Sequence, residues 1–216
     1  MYIPKQHAET DLAVLHALIR SHPLATWATH SEGEILLNHL PLMLDASRGR
    51  FGTLMGHVAR ANPVWQCVSR TVPSAFVFHG SNSYISPSWY PSKQAHGAAV
   101  PTWNYAVVHA HGMPLIIQDP AWLLDHVTRL TALHEAGQTL PWKVSDAPVE
   151  FIAQMLKQIV GIEIPISRIF GKWKINQNRS TADRLGVVDG LRGSGDPPSV
   201  EMAALVENAI AADRGT

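Results

Sequence analysis

Between Leu24 and His57 the chain holds three short apolar segments: Leu24 to Thr29, Ile35 to Leu44, and Phe51 to Gly56 or His57. Only Ser31-Glu32-Gly33 and Asp45-Ala46-Ser47-Arg48-Gly49 separate them. Connectors of this length and composition are tight turns, and the first reads as a hairpin. Three short strands joined in this way predict antiparallel β structure and not a succession of βαβ units.

The remaining chain extends that pattern. A helix fits residues 11–20, capped by Thr10 or Asp11, with Leu12, Leu15 and Ile19 on one face and Pro23 ending it. Residues 58–69 read as a short helix interrupted by Pro63, and Ser74 to His79 as a central strand. Residues 80–101 are polar, aromatic and proline-containing, and read as a long loop of the kind that carries function. Trp103 to Gln118 reads as a long strand bent at Gly112 or Pro114. Asp119-Pro120 opens a helix to about Glu135, an N-cap followed by proline at the first helical position. Ser145 or Asp146 caps a helix over 147–159 with an apolar stripe of Phe151, Ile152, Met155, Leu156 and Ile159. Ile162 to Phe170 is a strand, residues 181–192 a short helix, 193–198 a linker and 199–211 a terminal amphipathic helix. The expected fold is therefore α+β or mainly β: a small antiparallel barrel with peripheral helices over residues 1–192, followed by a linker and helical tail over 193–216.

Composition narrows the function classes. With 46% hydrophobic residues in 216, a sizeable core can form without disulfides. Cys67 is the single cysteine, which excludes an internal disulfide and fits a reducing cytoplasm; it reads as a buried apolar residue after Pro63. Lys+Arg and Asp+Glu are both 17, so the formal net charge is zero, and no run of like charges occurs. Broad electrostatic attraction to nucleic acid is disfavoured, leaving a local patch on a dimer as the route to DNA. Neither a signal peptide nor a membrane-spanning apolar run is evident.

No G-x-G-x-x-G, G-x-x-x-x-G-K-[ST], H-E-x-x-H or G-x-S-x-G stands in the sequence, so the chemistries those motifs carry lack support. His109 and His111 lie two apart on a predicted strand and face one side, but no third ligand stands at a completing spacing. They read as hydrogen-bonded strand histidines, and no metal ligand is assigned. Gly56-His57-Val58-Ala59-Arg60-Ala61-Asn62-Pro63 follows a strand and opens a predicted helix. A helix start offers free N–H groups to a phosphate, Arg60 adds a planar cation, and His57 a further donor. The same segment also reads as a plain connection with a surface arginine. The aromatics of Tyr84 to Lys93 and Pro101 to Tyr105 either stack on a flat ligand or pack on the core. In Gly171 to Arg179, alternation places Lys172, Lys174 and Asn176 on one side and Trp173, Ile175 and Gln177 on the other. That polar side suits an anionic ligand, or guards an exposed edge. No pair of residues has a spacing that demands acid–base or nucleophilic catalysis, so no catalytic residue is assigned.

Seven segments occur in the order typical of one family: Met1-Tyr2-Ile3-Pro4, Asn38-His39-Leu40-Pro41, Gly56 to Pro63, Tyr84-Ile85-Ser86-Pro87-Ser88-Trp89-Tyr90, Val100-Pro101-Thr102-Trp103-Asn104-Tyr105, Pro141-Trp142-Lys143 and Gly171-Lys172-Trp173-Lys174. The chain resembles the PaiB-type FMN-binding negative transcriptional regulators, from residue 1 to about 192. It departs from them at Ser81, where the family often has proline, and at Asn176, where it has serine. The resemblance implies an FMN-binding split β-barrel, related at fold level to pyridoxamine-phosphate oxidase and flavin reductases. It implies a homodimer with flavin near the subunit interface and negative regulation of sporulation and degradative-enzyme genes. Mapped onto this sequence, Arg60 and His57 would hold the FMN phosphate, with Asn62 beside them. Asn38, His39 and Leu40 would lie along the isoalloxazine edge, and Trp103, Lys174 and Gln177 would approach from other strands or from the second subunit. Direct DNA binding rests on the family description alone. An FMN-dependent oxidoreductase is the alternative activity, and a haem-binding split barrel a further one.

Overall fold

The structure is a computed structural model and describes residues 1–31 and 33–214. Its strands are β1 (Ala8–Glu9), β2 (Leu24–Ser31), β3 (Glu34–Pro41), β4 (Met43–Asp45), β5 (Thr53–Ala59), β6 (Ser74–Ile85), β7 (Thr102–Gly112), β8 (Leu115–Ile117) and β9 (Ile159–Lys174). The helices are α1 (Leu12–Ser21), α2 (Val64–Cys67), α3 (Pro91–His96), α4 (Pro120–Glu135), α5 (Val149–Leu156), α6 (Thr181–Ser194) and α7 (Pro197–Arg214). The sheet path runs β3-β2-β6-β7-β9-β5-β4, with β1 and β8 pairing on β9. Every pairing with a described register is antiparallel, as the short connectors require. The path ends at β3 and β4 without closing, so this is an open, split barrel.

The chain forms two compact units: residues 1–18, 79–108 and 170–216 in the first, and 19–78 and 109–169 in the second. In the second, β2 and β3 make the expected hairpin, with Thr26 opposite His39 and Trp27 opposite Asn38. Glu32 of the predicted turn lies outside the described residues. Trp27 stacks on Phe76 of β6 at 5.6 Å, and both are fully buried. The predicted second strand is interrupted at Leu42, whose N–H turns to the Pro23 carbonyl. Asp119 caps α4 by accepting the Trp122 N–H at 3.0 Å, with proline following as predicted.

Four further expectations are corrected. The chain does not become helical at residue 58: β5 runs on to Ala59, and only the single turn α2 follows Pro63. Gly56 is a strand residue against which Leu42 packs so closely that a Cβ would fall 2.6 Å from its side chain. Residues 80–101 are not a loop; β6 continues to Ile85, Pro87–Trp89 is a 3₁₀ turn and α3 follows. The helix expected over 147–159 is only α5, because Pro148 delays its start and β9 begins at Ile159. Cys67 is half-buried, with its Sγ 3.3 Å from the Pro63 carbonyl.

In the first unit, α6 and α7 pack through Val187, Val188 and Leu191 and through Met202, Ala203, Val206 and Ile210, all buried. The predicted linker 193–198 is a tight reversal. Gly195 takes φ 71° after α6, and α7 starts at Pro197. Asp183 accepts the Ser92 N–H at 3.0 Å and its hydroxyl at 2.8 Å, tying α3 to α6. Trp89, from the aromatic motif, lies on α6 beside Gly186 and Gly190.

Candidate functional site

In the second unit, β3 is a terminal strand and, among the described residues, pairs only with β2. Its outer edge therefore presents main-chain N–H and C=O groups at alternate residues that no strand takes up. One face of β3 is exposed at Ile35, Leu37, His39 and Pro41, while Leu40 turns inward and is buried. Asn38 is half-buried, and its Oδ1 accepts from Asn62 Nδ2 at 2.7 Å. Asn62 Oδ1 in turn accepts the N–H of Val64, the first residue of α2, at 3.0 Å. The structure thus brings together Asn38 and Asn62, 24 residues apart in sequence.

Arg60 sits past the end of β5. Its Nε donates to the Lys157 carbonyl at 2.7 Å, Nη1 to Gln118 Oε1 at 2.8 Å and Nη2 to the Ile159 carbonyl at 3.0 Å. A guanidinium has five N–H groups, so two remain for another acceptor. Arg60 lines a recess of about 490 Å³ together with Gln118, Leu123, Leu156 and Lys157.

His57 occupies a different setting from the one the sequence suggests. Its Nδ1 lies 3.1 Å from Nε2 of His126 on α4. His126 stacks on Trp122 at 5.0 Å and 14°. Trp122 Nε1 donates to Glu163 Oε1 at 3.0 Å, and Arg48 grips the same carboxylate through both Nη atoms, at 2.7 and 2.9 Å. The Trp122 ring lies flat over Gly161 of β9, where a Cβ would meet it at 2.3 Å, so only glycine admits the ring. The Arg48 hydrogen bond holds the Glu163 carboxyl below the usual carboxylate range. Burial lowers the His57 imidazole, and burial followed by the His57 charge pushes His126 down to about 4. Both rings are therefore neutral near pH 7, one donating to the other. Sequence reading missed Arg48, Trp122, His126 and Glu163. The i,i+4 spacing of Trp122 and His126 was the available signal; the pairings with His57 and Arg48 have none.

In the first unit, Lys174 Nζ donates to Thr102 Oγ1 at 2.6 Å and to the Trp103 carbonyl at 2.9 Å. Trp103 is half-exposed; its Nε1 donates to Asn82 Oδ1 at 3.0 Å and its ring stands edge-on to Tyr84. Gln177 Oε1 accepts the Ile175 N–H at 2.9 Å and lies 2.9 Å from His7 Nδ1, while its Nε2 donates to the Trp173 carbonyl. The alternation expected over 172–177 holds to Ile175 and then breaks. Asn176 takes φ 64° and is buried, and is not on the polar face with Lys172 and Lys174. Its amide joins Asn104 Nδ2 and the Tyr90 hydroxyl. His109 and His111 do share a side, with ring centroids 6.5 Å apart. Among the described residues, no group of three His, Cys, Asp or Glu could hold a metal ion.

The open edge of β3 offers main-chain hydrogen-bonding groups to a ligand, and Arg60 keeps two donors for an anion. A family model described as "Putative FMN-binding domain" matches residues 1–168. The chain belongs to this FMN-binding family. FMN is accordingly its family's cofactor, and of the mapped residues only Lys174 and Gln177 lie beyond the matched segment. The chain is 28% identical to the Bacillus subtilis protease synthase and sporulation protein PAI 2, over 97% of this chain and 98% of that one. It is 33% identical to the Emericella nidulans protein AN0679, over 95% and 96%. Among solved structures, the flavocytochrome Anf3 from Azotobacter vinelandii superposes with a TM-score of 0.61 at 12% identity, covering 80% of this chain and 72% of that one. That likeness establishes the split-barrel fold.

Proposed function

We propose that this chain is a flavin-linked regulatory protein of the PaiB type, a cytoplasmic homodimer. In this reading Asn38 to Leu40 lie along the isoalloxazine edge, and Arg60 takes the phosphate. The observation that carries it is the unpaired edge of β3, held to the following segment by the Asn38–Asn62 bond. His57 acts in it as a positioning residue, since its ring is engaged by His126. Trp103, Lys174 and Gln177 contact the cofactor from the second subunit. Bound FMN supplies electron transfer; the protein supplies binding and orientation. The exposed apolar side chains Leu24, Ile35 and Leu37 of the β2–β3 hairpin support self-association. The zero net charge supports regulation through a partner or metabolite over a dedicated DNA surface.

Arg60→Ala is expected to raise the FMN dissociation constant about tenfold, the loss of one charge-assisted contact of roughly 1.4 kcal/mol. Flavin fluorescence titration reads this, and an unchanged constant removes Arg60 from the phosphate site. A gel-shift titration with DNA flanking the protein's own gene, at roughly 50 and 200 mM salt, tests the regulatory arm. Little or no specific shift is expected from the protein alone. Tight, steeply salt-dependent binding would instead establish direct DNA recognition.

A further inference from the structure

We propose that the groove between α4 and α5 binds an amphipathic carboxylate, an apolar chain or ring system bearing one anionic group. The inference stands independently of where FMN binds. α5 is apolar along Phe151, Ile152, Met155 and Leu156, yet none of its residues is buried. Val149 is 78% and Phe151 54% exposed. A helix of this pattern ordinarily turns its stripe onto a core. Here Ile152 and Leu156 of the stripe, with Val149 and Ala153, line a groove of about 630 Å³ bounded on the α4 side by Leu124, Thr128 and Ala132. That volume falls in the range of small-molecule sites, roughly 300–1,000 Å³.

The segment joining the helices is fixed by the protein itself. Glu135 Oε2 accepts the Trp142 N–H at 3.0 Å, and Asp146 Oδ2 accepts the Lys143 N–H at 2.9 Å. Both carboxylates are spent on main chain, and neither lines the groove. The residues of this segment that line the groove include Trp142, Lys143 and Ser145. The Thr128 hydroxyl is turned back on the Leu124 carbonyl at 2.7 Å. Ala153 and Leu156 also line the adjoining recess, which adds the cation Lys157 and again no carboxylate. The lining is therefore apolar with cations and no anion, the complement of a carboxylate carried on an apolar body. It also gives a role to Pro141-Trp142-Lys143, the one ordered motif between residues 106 and 170, which the FMN reading leaves unused.

The test is a titration of the FMN-saturated protein with 1-anilinonaphthalene-8-sulfonate, followed by displacement with dodecanoate. One saturable probe site, emptied by dodecanoate, is expected. Ala132→Trp, which fills the groove from an exposed position, should weaken dodecanoate at least tenfold. Lys143→Glu should weaken dodecanoate about tenfold and leave dodecanol unchanged. Circular dichroism verifies that both variants fold. The proposal is overturned if dodecanoate does not displace the probe, or if both variants bind it as the parent does. It is equally overturned if the parent binds no probe and Ala132→Trp lowers the mass seen by light scattering, because the groove is then covered by a second copy.

Discussion

Replacing Trp27 with alanine is expected to lower the unfolding free energy by about 3–5 kcal/mol, the range for a buried aromatic truncated to a methyl group. The indole is fully buried and stacked on Phe76, and it sits on β2, the strand that carries the edge strand β3. The cavity cannot collapse easily, because β2 is hydrogen-bonded on both sides, to β3 and to β6. Urea denaturation should show the midpoint falling by about 2 M at a slope of about 2 kcal/mol/M. Trp27→Phe should cost far less, about 1 kcal/mol. Among the described residues the buried indole Nε1 has no hydrogen-bond partner, so phenylalanine removes an unmet donor along with some packing. If Trp27→Ala unfolds within 1 kcal/mol of the parent, the hairpin is not packed as described, and the strand edge assigned to FMN loses its support.

The second large effect is acid sensitivity through His126. Its folded-state value is about 4, against 6.5 for the unfolded residue, because burial penalises the cation. Above pH 6.5 both states are neutral there and stability is unaffected. As pH falls from 6.5 to about 4 the unfolded chain takes up the proton first, so stability declines; below that it levels off. The interval corresponds to on the order of 3 kcal/mol, and His57, shifted in the same direction, adds to it. The carboxylates of Asp45, Glu163 and Asp183 also lose stabilising contacts in acid, so the informative quantity is a difference between variants. His126→Phe keeps a ring against Trp122 and removes the titration. Its unfolding free energy should be lower than the parent's at pH 7.5 by about 1 kcal/mol, from the lost histidine bond. Between pH 6.5 and 4.5 it should then decline by a few kcal/mol less. Parallel pH profiles would show that the buried pair does not titrate as described.

The sequence made some of this fold legible because local chemistry decided it. The Asp119-Pro120 cap and the short connectors around β2 and β3 are signals that tertiary structure had no reason to override. The second half of β6 was illegible for the opposite reason. Its inward positions include Gly80, Ser81 and Ser83, residues whose composition reads as a loop, yet Ser83 is buried against Ser199 of α7. Gly56 to Ala59 misled in the same way, since a glycine after apolar residues ordinarily marks an end, and here it admits Leu42. Of the candidate site, the residue types were readable and their partners were not. Asn38 meets Asn62, Arg60 meets Gln118 and the Lys157 carbonyl, and His57 meets His126 across 69 residues, pairings that no local spacing encodes. Asn176 shows the limit of period-two reasoning, because β9 has already ended at Lys174 and a left-handed backbone there turns the side chain inward.

Binding of FMN by this split barrel is the property on which the site and its regulation depend. Its most direct test is a titration of the purified, flavin-free chain with FMN, followed by visible absorption and by quenching of flavin fluorescence. Saturable uptake of one FMN per chain is expected, with a shifted spectrum and a dissociation constant below tens of micromolar, roughly 6 kcal/mol or more of binding. Flavin that stays fully fluorescent and spectrally unchanged at those concentrations would contradict it.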